Sequence, residues 1–504
     1  MSSERRRIVW QIAIVACLTL LGKAGAFAKD VLLSLLFGAG METDAYFIAN
    51  AIPGFVFAGV FSTIGLVFLP IYSRAQTSPD RDGLSIIKTA TIIYLGLALI
   101  ISILTIVFAG VLVPLIAGSA SQEVQTLAIF LTRVFAVGFV FSGWVGLQNA
   151  ILQAHKAFVW PMAVPVFNHM VVIIGLLVTP FFGGEIYIVT YSAVLGWMLL
   201  SPIARWFSRR YYQWSAKARF SKDTARQLVF LSIPVFLSIS LDQINTIIDL
   251  TLGSGFGEGA VSHLTYASRL VILLSGLFSI LISYFIFPYL ADSLAKQDFA
   301  QSQKLLTRGL GGMIILTMPL AIFCAFRSEA LISLVFQRGA FSIQDTEVTA
   351  RVLRYYAIGM LFASAREVFN RVFLASQRVK SILAFGVAAA GVNVLASLYF
   401  MNQIGLAGIA LGTACGAIVY VSLQIFTLLR TSRHILSWWP LAYLGLSLVA
   451  GYAMVQALNF YPQITVLGTE GLGFLLNSLL ALGTYFAVVL AGVGLLTRLF
   501  LRKA

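Results

Sequence analysis

The sequence predicts an all-α polytopic membrane protein of about fourteen transmembrane helices. Three observations predict it: the scale of the hydrophobicity, the length of the uncharged runs, and the distribution of basic residues between them. Of 504 residues, 59% are hydrophobic and 11% charged, with a mean hydropathy of +0.93, which is more apolar surface than a soluble core can bury. Lipid is then the solvent, and backbone polar groups in hydrocarbon must pair within helices or a closed barrel. The stretches Ala45 to Ser73, Thr89 to Gln122, Val134 to Ala154 and Val271 to Ala291 are uncharged and reach the roughly 20 residues of a spanning helix. Barrel strands would alternate instead.

The net charge of +15 would suit nucleic acid only if the basic residues formed one patch on a folded surface. They are dealt out between apolar spans. Arg5, Arg6 and Arg7 precede the first span; Arg74, Arg81 and Lys88, then Lys156, then Arg205 to Arg226, then Lys296, Lys304 and Arg308 follow even-numbered ones. The intervening turns, around Glu42 and Asp44, Glu185, Glu258 and Glu470, are acidic or nearly uncharged. By the positive-inside rule both termini are expected in the cytoplasm. A mixed-charge stretch from Arg327 to Arg351 is expected as a longer external loop.

The spans are placed near 8–36, 45–73, 89–117, 126–153, 158–181, 187–207, 227–252, 263–290, 308–326, 349–375, 382–401, 405–429, 437–457 and 473–497. The basic triplet at the N-terminus imitates a signal peptide, but Lys23, Lys29 and Asp30 interrupt the apolar run and no small-residue cleavage pattern closes it. Helix one is therefore expected to be retained. The link after the sixth span is basic, with Trp206, Tyr211, Tyr212 and Trp214 interleaved, a composition suited to the anionic headgroup layer. Cys17, Cys324 and Cys415 fall in apolar helical segments, where a thiol behaves as a small hydrophobe and no disulfide framework is implied.

An internal repeat organises the chain. Phe135-Ala-Val-Gly138 matches Tyr356-Ala-Ile-Gly359, Asn149 matches Asn370, and Ala154 matches Ala375, all at the separation of Phe135 from Tyr356. A second echo pairs Gly38-Ala-Gly40 with Gly253-Ser-Gly255, and Leu69-Pro-Ile-Tyr72 with Phe287-Pro-Tyr289. Each copy holds about six spans, an even number, so the copies share one orientation, as in transporters built from parallel repeats. The expected division is a six-helix bundle over 1–207, a basic link over 208–226, a second bundle over 227–430, and two appended helices over 431–504.

Charge inside such helices is the functional signal. Burying one costs roughly 2.5–3.5 kcal/mol even on the lenient insertion scale, so Lys23, Lys29 and Asp30 in helix one should face a wet cavity. Lys23 and Asp30 share a helical face and Lys29 points elsewhere in a straight helix. A bend at Gly22 and Gly25 would bring both lysines inward; the bland alternative is a Lys–Asp pair with Lys29 snorkelling to an interface. Ser238, Asp242, Asn245 and Asp249 make a polar stripe on helix seven. Such oxygen ligands suit Na⁺ or a proton relay, or equally a helix-to-helix hydrogen-bond seam. Arg269 follows as a partner for an aspartate or an anionic substrate. Arg133, Arg366, Glu367 and Arg371 extend the candidate cavity charges, with Glu367 and Arg371 spaced to pair at i,i+4.

Catalysis has no visible seat. Gly253-Ser-Gly-Phe-Gly-Glu-Gly259 imitates a phosphate-cradling loop, but it has no preceding strand and no following lysine. His155, His169, His263 and His434 lack metal-ligand spacing, and no nucleophile triad stands out. A transporter without a resident cofactor is expected.

Gly22-Lys-Ala-Gly-Ala-Phe-Ala-Lys-Asp30 and Phe37-Gly-Ala-Gly-Met-Glu-Thr-Asp-Ala-Tyr-Phe47 resemble the opening of the MurJ/MviN family of lipid II flippases. So do Tyr266-Ala-Ser-Arg-Leu270, Phe336-Gln-Arg-Gly-Ala-Phe341 with Asp345-Thr346, and Phe373-Leu-Ala-Ser-Gln377. The resemblance runs from about residue 15 to residue 400. It implies a fourteen-helix exporter of the multidrug/oligosaccharidyl-lipid/polysaccharide superfamily, flipping an undecaprenyl-diphosphate-linked saccharide by alternating access, with the lipid tail in a groove of the two appended helices. The cavity cations that it implies fall on Lys23, Lys29 and Arg269, with Asp30, Asp44 and Arg371 in support. The family carries arginine at both helix-one positions, and lysine keeps the charge without the bidentate fork. The family's charged residues after the second-helix proline are replaced by Phe55-Val-Phe-Ala-Gly-Val-Phe61, and Ile272 stands near an expected glutamate. These departures tilt the expectation toward a specialised saccharide, such as an exopolysaccharide or O-antigen precursor, over the peptidoglycan precursor.

Three coupling sources stay open at this stage: Na⁺ or H⁺ at Asp242, Asn245 and Asp249, or the membrane potential, which is worth about 2.3 kcal/mol per charge per 100 mV. Two rival classes are a cation-coupled drug exporter, which would favour acidic and aromatic cavity groups, and a non-transporting scaffold that recruits envelope-synthesis enzymes through the basic link. The expected partners are membrane lipids and a lipid-linked saccharide, not nucleic acid.

Overall fold

The structure, a computed structural model, describes residues 3–56, 59, 62–76, 83–212, 219–460 and 470–501. Trp214 and Lys217 of the basic link lie outside them. The described residues form helices and no strand: α1 (Ser3–Phe37), α2 (Met41–Phe55), α3 (Ser62–Gln76), α4 (Gly83–Ala117), α5 (Gln122–Ala154), α6 (Val159–Val178), α7 (Tyr187–Ser208), α8 (Lys222–Gly253), α9 (Ala260–Phe285), α10 (Phe287–Ala295), α11 (Phe299–Phe326), α12 (Ser328–Phe336), α13 (Ile343–Ala375), α14 (Val379–Ile404), α15 (Ala407–Thr431), α16 (Trp439–Phe460) and α17 (Glu470–Leu501).

Nine helices among the described residues, α4 to α7, α11 and α14 to α17, are long and apolar enough to cross a membrane. Five further spans complete fourteen: α1, α2 with α3, α8, α9 with α10, and α13. Charge lowers the mean hydropathy of α1, α8 and α13, and α2 and α3 are each 15 residues long. The element order therefore repeats, α1 to α7 and then α8 to α15, and the last two helices follow.

Two expectations are corrected. The eighth span is not one helix: it divides at Ile286, just before Pro288, into α9 and α10. The stretch 327–351 is not an open loop, because α12 and the first turns of α13 occupy most of it. Glu329 and Asp345 in their first turns suit the positive ends of those helix dipoles.

The chain divides into two compact units, one of Met1–Thr265 with Arg338–Ser342, the other of Tyr266–Gln337 with Ile343–Ala504. In the first, α5 packs against α2, α3, α4 and α7, α1 lies on α6, and α8 lies on α3 and α4. Trp160, Val164 and Leu200 form a buried knot there, with Trp160 stacked on Phe207 at 4.5 Å. The apolar run after Pro53 meets α8: Phe55 stands edge-on to Phe236 at 5.7 Å, and a Cβ on Gly59 would come within 2.7 Å of the same ring. In the second unit α13 packs on α11 and α15, and α14 on α15. Their shared core gathers Met313, Phe369, Phe373, Phe385 and Tyr420. The appended pair is anchored by α16 on α11, around Met454 and Tyr485.

Candidate functional site

In the first unit the charges of helix one sit on a continuous helix. Gly22 and Gly25 seat it against α6: a Cβ on Gly22 would lie 3.6 Å from Pro165, and one on Gly25 would lie 3.3 Å from His169. Their smallness thus allows α1 to pack closely on α6. Lys29 Nζ lies 2.6 Å from Asp30 Oδ1, and the two side chains are 13% and 3% exposed. Asp30 thus has its neighbour Lys29 as a partner, because a flexible four-carbon stem reaches round the helix where a rigid face would not. Lys29 also stands 5.7 Å from the Tyr46 ring centroid on α2, a cation–π contact that strengthens as water is excluded. Lys23 lies half-buried one helical stretch below. The arrangement presents ammonium groups from an apolar helix, with one carboxylate holding one of them, and can draw in a diphosphate.

Asp44 is built differently. It is 3% exposed, and its carboxylate accepts from the Gly259 N–H at 2.7 Å, the Ser262 N–H at 2.7 Å and the Ser262 hydroxyl at 2.6 Å. It therefore caps the start of α9, where backbone donors have no helical partner. Glu258 returns the contact, accepting from the Met41 N–H at the start of α2 at 2.9 Å. Thr43 and Ser262, each three residues beyond the residue before its helix, join hydroxyls at 2.8 Å. This reciprocal cap belongs to the first unit and was missed from sequence, since it joins residues more than two hundred positions apart.

On α8, Asn245 and Asp249 are half-buried. The side chains of Ser238 and Asp242, the other members of the stripe, lie outside the described residues. Among the described residues no group of three His, Cys, Asp or Glu gathers to hold a metal.

In the second unit Arg269 is exposed on α9, while Tyr266, Ala267 and Leu270 form the buried face and Tyr266 packs on Phe336 at 5.2 Å. On α13 Glu367 lies 3.5 Å from Arg366; the expected Glu367–Arg371 spacing is not the pair that forms at this distance. Arg366 stands over the Tyr420 ring at 5.3 Å, and Tyr420 and Gln424 both donate to Asn370 Oδ1, at 3.1 and 2.9 Å. Arg371 is half-buried. Arg133, in the first unit, donates to the Ile106 carbonyl of α4 at 3.3 Å.

A fourteen-span helical fold built from a repeat, with half-buried cations on its first helix, defines a polytopic membrane transporter. Solved structures agree on the fold. A lipid II flippase MurJ in an inward closed conformation superimposes with a TM-score of 0.82 at 22% identity over 97% of this chain and 100% of that one. An inward-facing multidrug resistance MATE transporter of the MOP superfamily gives 0.66 at 14% identity over 82% and 95%. The family model described as lipid II flippase MurJ matches residues 33–477. The chain belongs to that family. A probable lipid II flippase MurJ of Thermotoga maritima is 27% identical over 85% of this chain and 86% of its own length. The lipid II flippase MurJ of Burkholderia cenocepacia is 25% identical over 82% of each. The chain is a multi-pass bacterial membrane protein and a transporter, not an enzyme.

Proposed function

We infer that this protein flips an undecaprenyl-diphosphate-linked saccharide, lipid II or a close chemical relative, between the leaflets of the cytoplasmic membrane by alternating access. The observation that carries the reading is the Lys29–Asp30 pair under Tyr46, with Lys23 on the same helix, in a chain matched by the lipid II flippase family model across residues 33–477. The ammonium groups attract the diphosphate, and Asp30 holds Lys29 in place until an anion competes for it. The family resemblance carries a further cation at Arg269, whose guanidinium is able to meet phosphate bidentately. The lipid tail need not cross anything polar. The Lys and Arg distribution supports cytoplasmic termini and transport toward the periplasmic side. Reorientation draws on the membrane potential or on a cation at Asp242, Asn245 and Asp249. Relatives named as lipid II flippases favour neither drug export nor a scaffold.

Native mass spectrometry of the purified protein with lipid II, and with an undecaprenyl-diphosphate oligosaccharide of other composition, tests site and substrate together. Wild type should retain adducts, and Lys29→Ala should weaken them about tenfold, the effect of losing one charge-assisted contact. Adducts indifferent to Lys29→Ala would remove helix one from the site. No adduct with either lipid, and no flipping in proteoliposomes, would overturn the function.

A further inference from the structure

At the end of the first unit opposite the basic link, a cavity of about 1010 Å³ opens between the start of α5, the end of α6 and the start of α7. It stands at the upper end of the roughly 300–1,000 Å³ typical of ligand sites. By the positive-inside rule this is the expected external end. Leu127, Phe130, Val178, Phe182, Tyr187 and Tyr191 wall it. Phe130 and Tyr187 meet edge to face at 5.2 Å. Phe130, Phe182 and Tyr191 are 41%, 69% and 51% exposed, so aromatic surface is open to an occupant.

The same cavity carries charge of one sign. Glu123 and Glu185 line it, and Glu185 repels Glu42, the neighbour of the lining residue Met41. Among the described residues no Lys or Arg pairs with any of the three. On α5 the first cation, Arg133, stands roughly 15 Å beyond Glu123 at 1.5 Å per residue, and it donates to the Ile106 carbonyl. Glu42 and Glu123 sit in first turns, where they complement helix dipoles. That ordinary role does not neutralise them, because a helix end carries about half an elementary positive charge and each carboxylate a whole negative one. The cavity thus joins an aromatic wall to uncompensated carboxylates.

We propose that this cavity binds an organic cation with an apolar body, of the quaternary ammonium or phosphonium class. Glu123 and Glu185 hold its charge, and Phe130, Tyr187 and Tyr191 receive its apolar groups. Each half of the site chooses a part of the occupant. The carboxylates repel an anion and attract a cation, and aromatic faces attract a cation further through the ring quadrupole. A small metal ion, strongly hydrated and demanding several oxygen ligands, would leave the aromatic wall unused. Lys23 and Lys29 would repel such a ligand, so the site is chemically distinct from the diphosphate site and does not rest on the transport reading.

Tetraphenylphosphonium and tetraphenylborate, alike in shape and opposite in charge, separate the electrostatic from the apolar contribution. Each is equilibrated by dialysis with the full-length protein in neutral detergent, against a detergent blank. Wild type should bind the phosphonium, more weakly as salt is raised because exposed charges are screened, and the borate about tenfold less tightly. The double change Glu123→Gln, Glu185→Gln, which keeps side-chain volume, should lower phosphonium affinity about tenfold. Phe130→Leu should lower it about threefold, as for the loss of one exposed cation–π contact. Thermal unfolding without ligand checks that the variants fold. No phosphonium binding to wild type, or an affinity unchanged in the folded double variant, overturns the site. Equal binding of the two ions overturns the cationic class, and an affinity unchanged in Phe130→Leu overturns the aromatic contact.

Discussion

The two copies of the repeat keep their scaffolding and differ in their charge. α5 and α13 are both 33 residues long, and they end alike. Lys156 and Gln377, which match in the repeat, both take left-handed conformations with φ of 59° and 56°. Lys156 N–H bonds Gln153 O at 2.9 Å and Ala157 N–H bonds Leu152 O at 2.8 Å; Gln377 and Arg378 do the same to Leu374 and Phe373, at 3.0 and 2.8 Å. This is the Schellman closure, which satisfies carbonyls left over at a helix end. Before these shared ends α5 carries Glu123 and Arg133, while α13 carries Asp345, Glu347, Arg351, Arg354, Arg366, Glu367 and Arg371.

The glycines at the heart of the echo test how equal the frames are. A Cβ on Gly138 would meet Val194 Cγ2 at 3.6 Å, an ordinary contact, whereas one on Gly359 would meet the Ala414 backbone Cα at 2.9 Å. Gly359→Ala should therefore force α13 from α15 and destabilise by about 1–3 kcal/mol, the range of overpacking. Gly138→Ala should be neutral or gain up to about 1 kcal/mol of helix propensity. Thermal unfolding in detergent separates them; equal losses would mean that the two helix pairs approach equally closely.

That asymmetry could not be read from sequence, where Phe135-Ala-Val-Gly138 and Tyr356-Ala-Ile-Gly359 look alike. The repeat itself was legible, because one separation aligns positions spread over a whole helix. So were the charged helices, since an ionised side chain in an apolar run stands out against its cost. What stayed hidden depends on distance in the chain or on rotamers. Asp44 gives no local hint of Ser262, and Lys29 reaches Asp30 through a side-chain torsion that spacing on a helical wheel does not encode. The short helices α10 and α12 were hidden for another reason: at nine residues each they are too brief for apolar periodicity to separate them from their neighbours.

A smaller effect sharpens the comparison at the helix ends. Left-handed backbone costs a residue with a Cβ on the order of 1 kcal/mol, and glycine removes that cost while adding freedom to the unfolded chain. Lys156→Gly and Gln377→Gly should each stabilise by about 0.5–1 kcal/mol, by the same amount if the closure is shared. A gain at one site and a loss at the other would show that the two turns are held by different forces.

The smallest effect concerns the residue just before each left-handed turn, His155 in the first copy and Ser376 in the second. His155 Nε2 lies 3.2 Å from the Tyr72 hydroxyl and 2.9 Å from Gln76 Nε2, and the ring stacks on Tyr211 at 4.5 Å. Burial lowers its pKa below the ordinary 6.5, so between its folded value and 6.5 the unfolded chain binds the proton more readily than the folded one. Stability should therefore fall as pH drops below 6.5, with no contribution above it. A second proton would also remove the ring's only acceptor, breaking the bond from the Gln76 amide, while the Tyr72 hydroxyl can turn to accept. His155→Ser, which makes the first copy like the second, should flatten the pH dependence of melting below 6.5 while lowering stability at neutral pH through the lost stacking. A slope unchanged by the substitution would place the titration elsewhere and leave His155 as packing alone.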